Sequence, residues 1–199
     1  MASKISIINM ALGWLGAPPI AGLTEKRPEA IYASQYYDSA LEQTLRDHKW
    51  NFAQRRKRLA ALNVPDGYQG VYENAYAMPV DCLHAHTVLD AAENTFPFIV
   101  ALAEDGGSKI VLTNVASAYL AYTALVTVPE LYDPNFVRAM SRRLAADIAT
   151  PILKNNAQKV QEAETLYDRE LARAKLADYR EGKPEEEEDV SWIQARTAR

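Results

Sequence analysis

Residues 36–56 read YYDSALEQTLRDHKWNFAQRR, and the period of the apolar positions changes partway along the stretch. Tyr37, Leu41 and Leu45 recur every four residues, which puts one apolar stripe on a helix. Trp50, Phe52 and Arg56 fall instead at even spacing, the period of a strand. A segment that passes from a 3.6-residue to a 2-residue period marks a junction. Trp50 and Phe52 are therefore expected to anchor a helical layer to a sheet, and nothing in the stretch reads as catalytic.

Upstream, Ile5, Ile8, Leu12 and Leu15 recur at helical spacing behind Ser3, a residue type that caps a first turn; Gly16, Pro18 and Pro19 then stop the helix. Helix one is expected over 3–15. Pro28 suits a first helical position, so helix two is expected over 28–49. Each helix carries one apolar stripe that must be covered, which makes the two natural partners.

Downstream the helical period fades. Pro65-Asp66-Gly67, Met78-Pro79 and Glu104-Asp105-Gly106-Gly107 punctuate short runs at 72–77, 83–89, 96–102, 109–113 and 118–126. These predict a small antiparallel sheet, with a hairpin around Gly106-Gly107. The run AYLAYTALV fits either a strand or a buried helix, and the strand is favoured. Asp133-Pro134 starts a third helix carrying Phe136, Met140, Leu144 and Ile148, expected to end or bend at Thr150 before Pro151. A fourth, over 156–181, places Val160, Ala163, Tyr167, Leu171 and Ala174 on one face. The predicted fold is α+β: a four-helix bundle (1–50 and 129–181) with a β-rich insertion (51–128) between helices two and three, and an extended C-terminal arm (182–199).

At 199 residues the chain can bury roughly 70% of its unfolded surface, so a core without staples is feasible. Its single cysteine, Cys82, forms no internal disulfide, and no run approaches the roughly 18 apolar residues of a membrane span, so a soluble protein without membrane contact is expected. A net charge of −4 gives little general attraction for nucleic acid.

Three clusters invite a chemical reading. Cys82, His84 and His86 alternate, so on a strand they share a face and resemble a transition-metal set. A closed site needs a fourth ligand, and the one remaining histidine, His48, precedes the junction; a buried cysteine beside partly exposed histidines on a strand is the favoured reading, with no metal. Arg55, Arg56, Lys57 and Arg58 follow the aromatics Trp50 and Phe52, a pattern found in single-strand nucleic-acid platforms. On a strand only half of that charge shares a face, so a solvated face or intersubunit strip is favoured over nucleic-acid binding. No nucleophile elbow and no phosphate loop is present, and the carboxylates of 185–189 sit in a solvated run. No catalytic residue and no cofactor are expected. In the arm, Trp192 and Ile193 stand isolated among charges, either folded back on the protein's own surface or serving as anchors for a partner groove.

The stretches INMALGWLGAPPIAGLTEKRPEA and YYDSALEQTLRDHKWNFA, the latter with its Leu45-Arg46-x-x-x-Trp50-x-Phe52-Ala53 core, resemble the tail tubular protein A family of podovirus-like bacteriophages. Tyr76-Ala-Met-Pro-Val-Asp-Cys82, Asp133-Pro-x-Phe136 and the terminal Ser191-Trp192-Ile193-x-x-Arg196 extend the resemblance in order along most of the chain, most weakly over 83–113. The resemblance implies a structural virion protein, made in the host bacterial cytoplasm and built into the head-tail connector. It implies a homododecameric ring between the portal protein and a tail nozzle resembling tail tubular protein B, with genome DNA passing through the channel unbound. Trp192, Ile193 and Arg196 are then the expected portal contacts, and no catalytic residues are implied.

Overall fold

The computed structural model describes residues 2–154 and 156–182. Among the described residues four α-helices run in chain order, α1 (Lys4–Trp14), α2 (Pro28–Arg46), α3 (Pro134–Ile152) and α4 (Ala157–Gly182). Between α2 and α3 lie eight strands. Ser3 and Ser6 cap α1 reciprocally: the Ser3 hydroxyl accepts from the Ser6 N–H at 3.1 Å and the Ser6 hydroxyl from the Ser3 N–H at 2.8 Å. Gly16, at φ 70°, closes the other end, where the Ala17 N–H returns to the Leu12 carbonyl. The proline-rich linker is pinned to α1 by Asn9, whose amide bonds both backbone groups of Ile20.

The helices do not form the expected four-helix bundle. They gather around α3, which lies against α1, α2 and α4, while α1 and α2 barely touch. Four positions of α3 mark one apolar stripe in the sequence, but Val137, Ala139, Ser141, Ala145 and Ala149 are buried as well. These are mostly small residues, so the helix is covered on several sides and neighbours approach it closely. A stripe says that a helix has a buried face; it does not count the neighbours. Pro151 costs α3 one hydrogen bond, and the helix ends one residue later at Ile152.

Nor is the β-rich part a small sheet. It comprises two antiparallel four-stranded sheets. The first has β1 (Gln54–Arg58), β8 (Tyr119–Ala124), β4 (Cys82–Leu89) and β5 (Thr95–Phe96) in that order. The second has β2 (Ala61–Leu62), β3 (Asn74–Ala77), β7 (Lys109–Thr113) and β6 (Phe98–Leu102). Both pairs of edges are continuous in the chain. At Leu59-Ala60 the backbone leaves one ladder for the other, Leu59 N–H bonding the Ala118 carbonyl and the Ala60 carbonyl accepting from Ala77, each at 2.9 Å. At Pro97, which has no amide to donate, β5 turns into β6. The sheets thus share both edges and close as a barrel, which leaves little unpaired edge. Tyr76, Val88, Val111, Leu120 and Tyr122 fill the interior, drawn from both sheets. The alternate residues Ala75, Ile110 and Leu112 face outward beneath Val64, Tyr68 and Tyr72 of the 63–73 loop. The run AYLAYTALV supplies β8, and the pairing of Leu102 with Lys109 forms the Gly106-Gly107 hairpin.

Candidate partner-interaction sites

Trp50 caps, and Phe52 lies within, a 3₁₀ turn, Asn51–Ala53, and neither sits on a strand. Their even spacing arises because both side chains turn into the helical core. Trp50 is fully buried, and its indole N–H donates to the Thr44 carbonyl at 2.7 Å. That bond satisfies a carbonyl in the last turn of α2, which stops at Arg46, three residues short of the expected end. The rings of Trp50 and Phe52 stand 5.0 and 4.9 Å from Phe136 at the start of α3, in edge-to-face geometry, and Tyr132 joins the cluster. Strand β1 begins directly after the turn.

A polar latch surrounds this cluster. Asp178 on α4 is 5% exposed. Its carboxylate meets His48 Nε2 at 2.9 Å and the Asn51 N–H at 3.0 Å, while its carbonyl accepts from the Asn51 side chain at 2.7 Å. The Tyr167 hydroxyl bonds Asp47 beside it. Asp178 carried one sequence signal, its place in the apolar stripe after Tyr167, Leu171 and Ala174: a carboxylate at a core position needs a buried donor.

The Cys82, His84 and His86 set does not assemble a ligand cage. Register shifts between Cys82 and His84 and between Ala85 and Thr87 break the alternation along β4. His86 bonds the Thr123 hydroxyl at 2.8 Å, and burial, then the nearby Lys49 and His84, push its pKa down to about 4. Burial and then Asp81 push the Cys82 thiol up to about 11, so it stays protonated at neutral pH. Among the described residues no group of three His, Cys, Asp or Glu side chains is placed to hold a metal ion.

The basic cluster lies on β1. Arg55 pairs with Asp81 at 3.0 Å, and Arg56 pairs with Glu93 while lying 5.1 Å over the Tyr119 ring. The burial of Trp50 removes the aromatic face on which a base would stack. Trp192, Ile193 and Arg196, expected as partner contacts, lie outside the described residues.

A cavity of about 370 Å³ opens where the end of α1 meets α3 and α4, lined among others by Trp14, Leu15, Arg142, Ala145, Lys159 and Leu166. The Arg142 guanidinium lies 3.7 Å over the Trp14 ring, and its Nε is buried without a hydrogen-bond partner. Trp14 itself is held by its indole N–H, which donates to the Ser141 hydroxyl at 3.1 Å. Sequence periodicity placed none of these residues together, because they meet only when three helices do. No helix among the described residues is long and apolar enough to cross a membrane. No family model matches the chain, and no curated protein matches it.

Proposed function

We propose that this protein is a structural adaptor of a tailed bacteriophage particle, assembling as a ring between the portal and the tail nozzle. The observation that carries the reading is the junction. Trp50, Phe52 and Phe136 pack together in the helical core directly before β1 begins, so the barrel leaves the helical unit at a well-packed point, and each unit has its own buried core. Both units leave large apolar side chains outside: Ile31, Val128 and Leu131 on the helical side, Leu62, Val71 and Leu102 on the barrel. A ring built head to tail needs two different complementary faces on each copy, and a two-part body supplies them. The motif order from Leu45-Arg46 to Ser191-Trp192-Ile193 supports the phage assignment.

In this reading the ring is dodecameric, its net negative charge per copy lets DNA pass without sticking, and the C-terminal arm docks on the portal. The pairing of Arg55 and Arg56 with the protein's own carboxylates favours this over nucleic-acid capture. Mixing the full-length chain with the portal protein of the same particle and imaging by electron microscopy tests the role. Rings seated on the portal are expected; a folded chain that forms no complex at micromolar concentration overturns it. Deleting 190–199 should abolish docking while the helical circular-dichroism signal persists, and undiminished docking would remove the arm from the interface.

A further inference from the structure

The outer faces of α2 and α4 carry stripes of opposite charge at the same spacing. On α2, Ile31, Gln35, Asp38 and Glu42 step by four, three and four residues, and all are exposed. On α4, Arg169, Arg173, Leu176 and Arg180 take the same steps and are exposed as well. Each stripe lies away from its helix's buried face, which holds Ala33, Tyr37, Leu41 and Leu45 on α2 and Ala163, Tyr167, Leu171 and Ala174 on α4. Among the described residues neither Glu42 nor any of the three arginines has an ion-pair partner; Asp38 meets Lys4 at 3.1 Å but keeps its side chain 77% exposed. Ile31 and Leu176 are each 53% exposed, so each stripe also holds one large apolar side chain in water.

Laid antiparallel, the stripes match over about 16 Å of helix. Arg169 falls opposite Glu42, Arg173 opposite Asp38, Leu176 opposite Gln35 and Arg180 opposite Ile31. Beyond Glu42 and Arg169 the sign changes on both helices together. Arg46 ends α2, and Glu162 lies within about one turn of the α4 position that faces it. A parallel arrangement that sets Arg169 and Arg173 against Asp38 and Glu42 instead brings Arg180 to the Arg46 and Lys49 end, where like charges repel. Within one chain the stripes cannot meet, because both point away from the core to which α2 and α4 contribute. The acidic stripe that fits α4 therefore belongs to another copy.

We infer that α4 of one copy packs antiparallel along the outer face of α2 of the next, with Arg169 paired to Glu42 and Arg173 to Asp38 across the contact. The contact uses different surfaces on the two copies, so a pair leaves one α2 stripe and one α4 stripe open and the series extends head to tail. Closure of that series into a ring rests on the adaptor reading; the pairing rests on the two stripes alone.

Cross-linking of two variants of the full-length chain tests it, both in a Cys82→Ser background. One carries Gln35→Cys and the other Leu176→Cys, exposed positions that face each other in the contact and leave both charge pairs intact. Mixed at high micromolar concentration with a short bis-maleimide, they should give mixed cross-links several-fold beyond the statistical yield of random encounter. Glu42→Lys in the first variant should cut that excess several-fold, as should salt at about 1 M, where the Debye length is about 3 Å. Adding Arg169→Glu to the second variant should restore it, a recovery that no folding defect reproduces. Indifference to the single reversal or no recovery on the double reversal overturns the inference. So does a mixed yield at the statistical value, which hands the arginine stripe to an acidic partner other than this chain. The adaptor reading fails separately: rings seated on the portal without the mixed cross-link keep that reading and remove this contact, and cross-linked chains that never seat on a portal do the reverse.

Discussion

The helical unit and the barrel are held together differently. Around the junction the helical core stacks Trp50, Phe52, Tyr132 and Phe136 edge to face, then continues through Met140, Leu144 and Ile148. The barrel interior is mostly aliphatic and small, and its two buried tyrosines turn their hydroxyls to the Val115 carbonyl and to Asp81. The difference follows from the backbone. A helix satisfies its own hydrogen bonds, so only side chains hold one helix to the next. Strands bond their neighbours directly, so the backbone ladders hold the barrel together before any side chain contributes. The helical unit therefore depends on its large side chains more than the barrel does.

The largest expected effect is at Trp50. Trp50→Ala removes the ring cluster and the cap on Thr44, and should destabilise the chain by about 3–5 kcal/mol. Hydrogen exchange should accelerate chiefly in α2 and α3; equal acceleration in β7 and β8 would mean that the two cores are one cooperative body. Leu120→Ala, in the barrel interior, should cost about 3 kcal/mol and expose the reverse pattern. If its cost equals that of Trp50→Ala, the asymmetry between the units is broken.

A smaller effect belongs to pH. His86 titrates near 4 in the folded chain against 6.5 ordinarily. Between those values the unfolded chain takes up a proton that the folded chain refuses, so stability falls as pH falls from 6.5 toward 4. His86→Gln, which retains a partner for Thr123, should flatten that slope in urea midpoints measured at pH 7 and pH 5. An unchanged slope places the acid sensitivity elsewhere. The smallest effect is at Arg56, where Arg56→Ala removes an ion pair whose Glu93 side chain is 73% exposed. The loss should stay under about 1 kcal/mol, read from the same midpoints.

Local chemistry determined much of this molecule. Ser3, Pro28 and Asp133-Pro134 open α1, α2 and α3 because each meets the unpaired amides of a first turn, whatever the rest of the chain does. Pro79 and Gly106-Gly107 likewise precede β4 and β7, and the shift in pattern at Trp50 falls between the end of α2 and the start of β1. The tertiary structure decided the rest. The even spacing of Trp50 and Phe52 came from a 3₁₀ turn, since two rings reach one core from a tight turn as readily as from a strand. Barrel closure at Leu59-Ala60 and Pro97 depends on which strands meet, and alternation along one strand carries no record of its partner. The central place of α3 rests on small residues whose burial becomes visible only with their neighbours present. Asp178 and Arg142 carry the same lesson at single sites: a charged side chain declares its own cost of burial, and only the assembled helices show that Asp178 has His48 and Asn51 to meet it while Arg142 Nε has none.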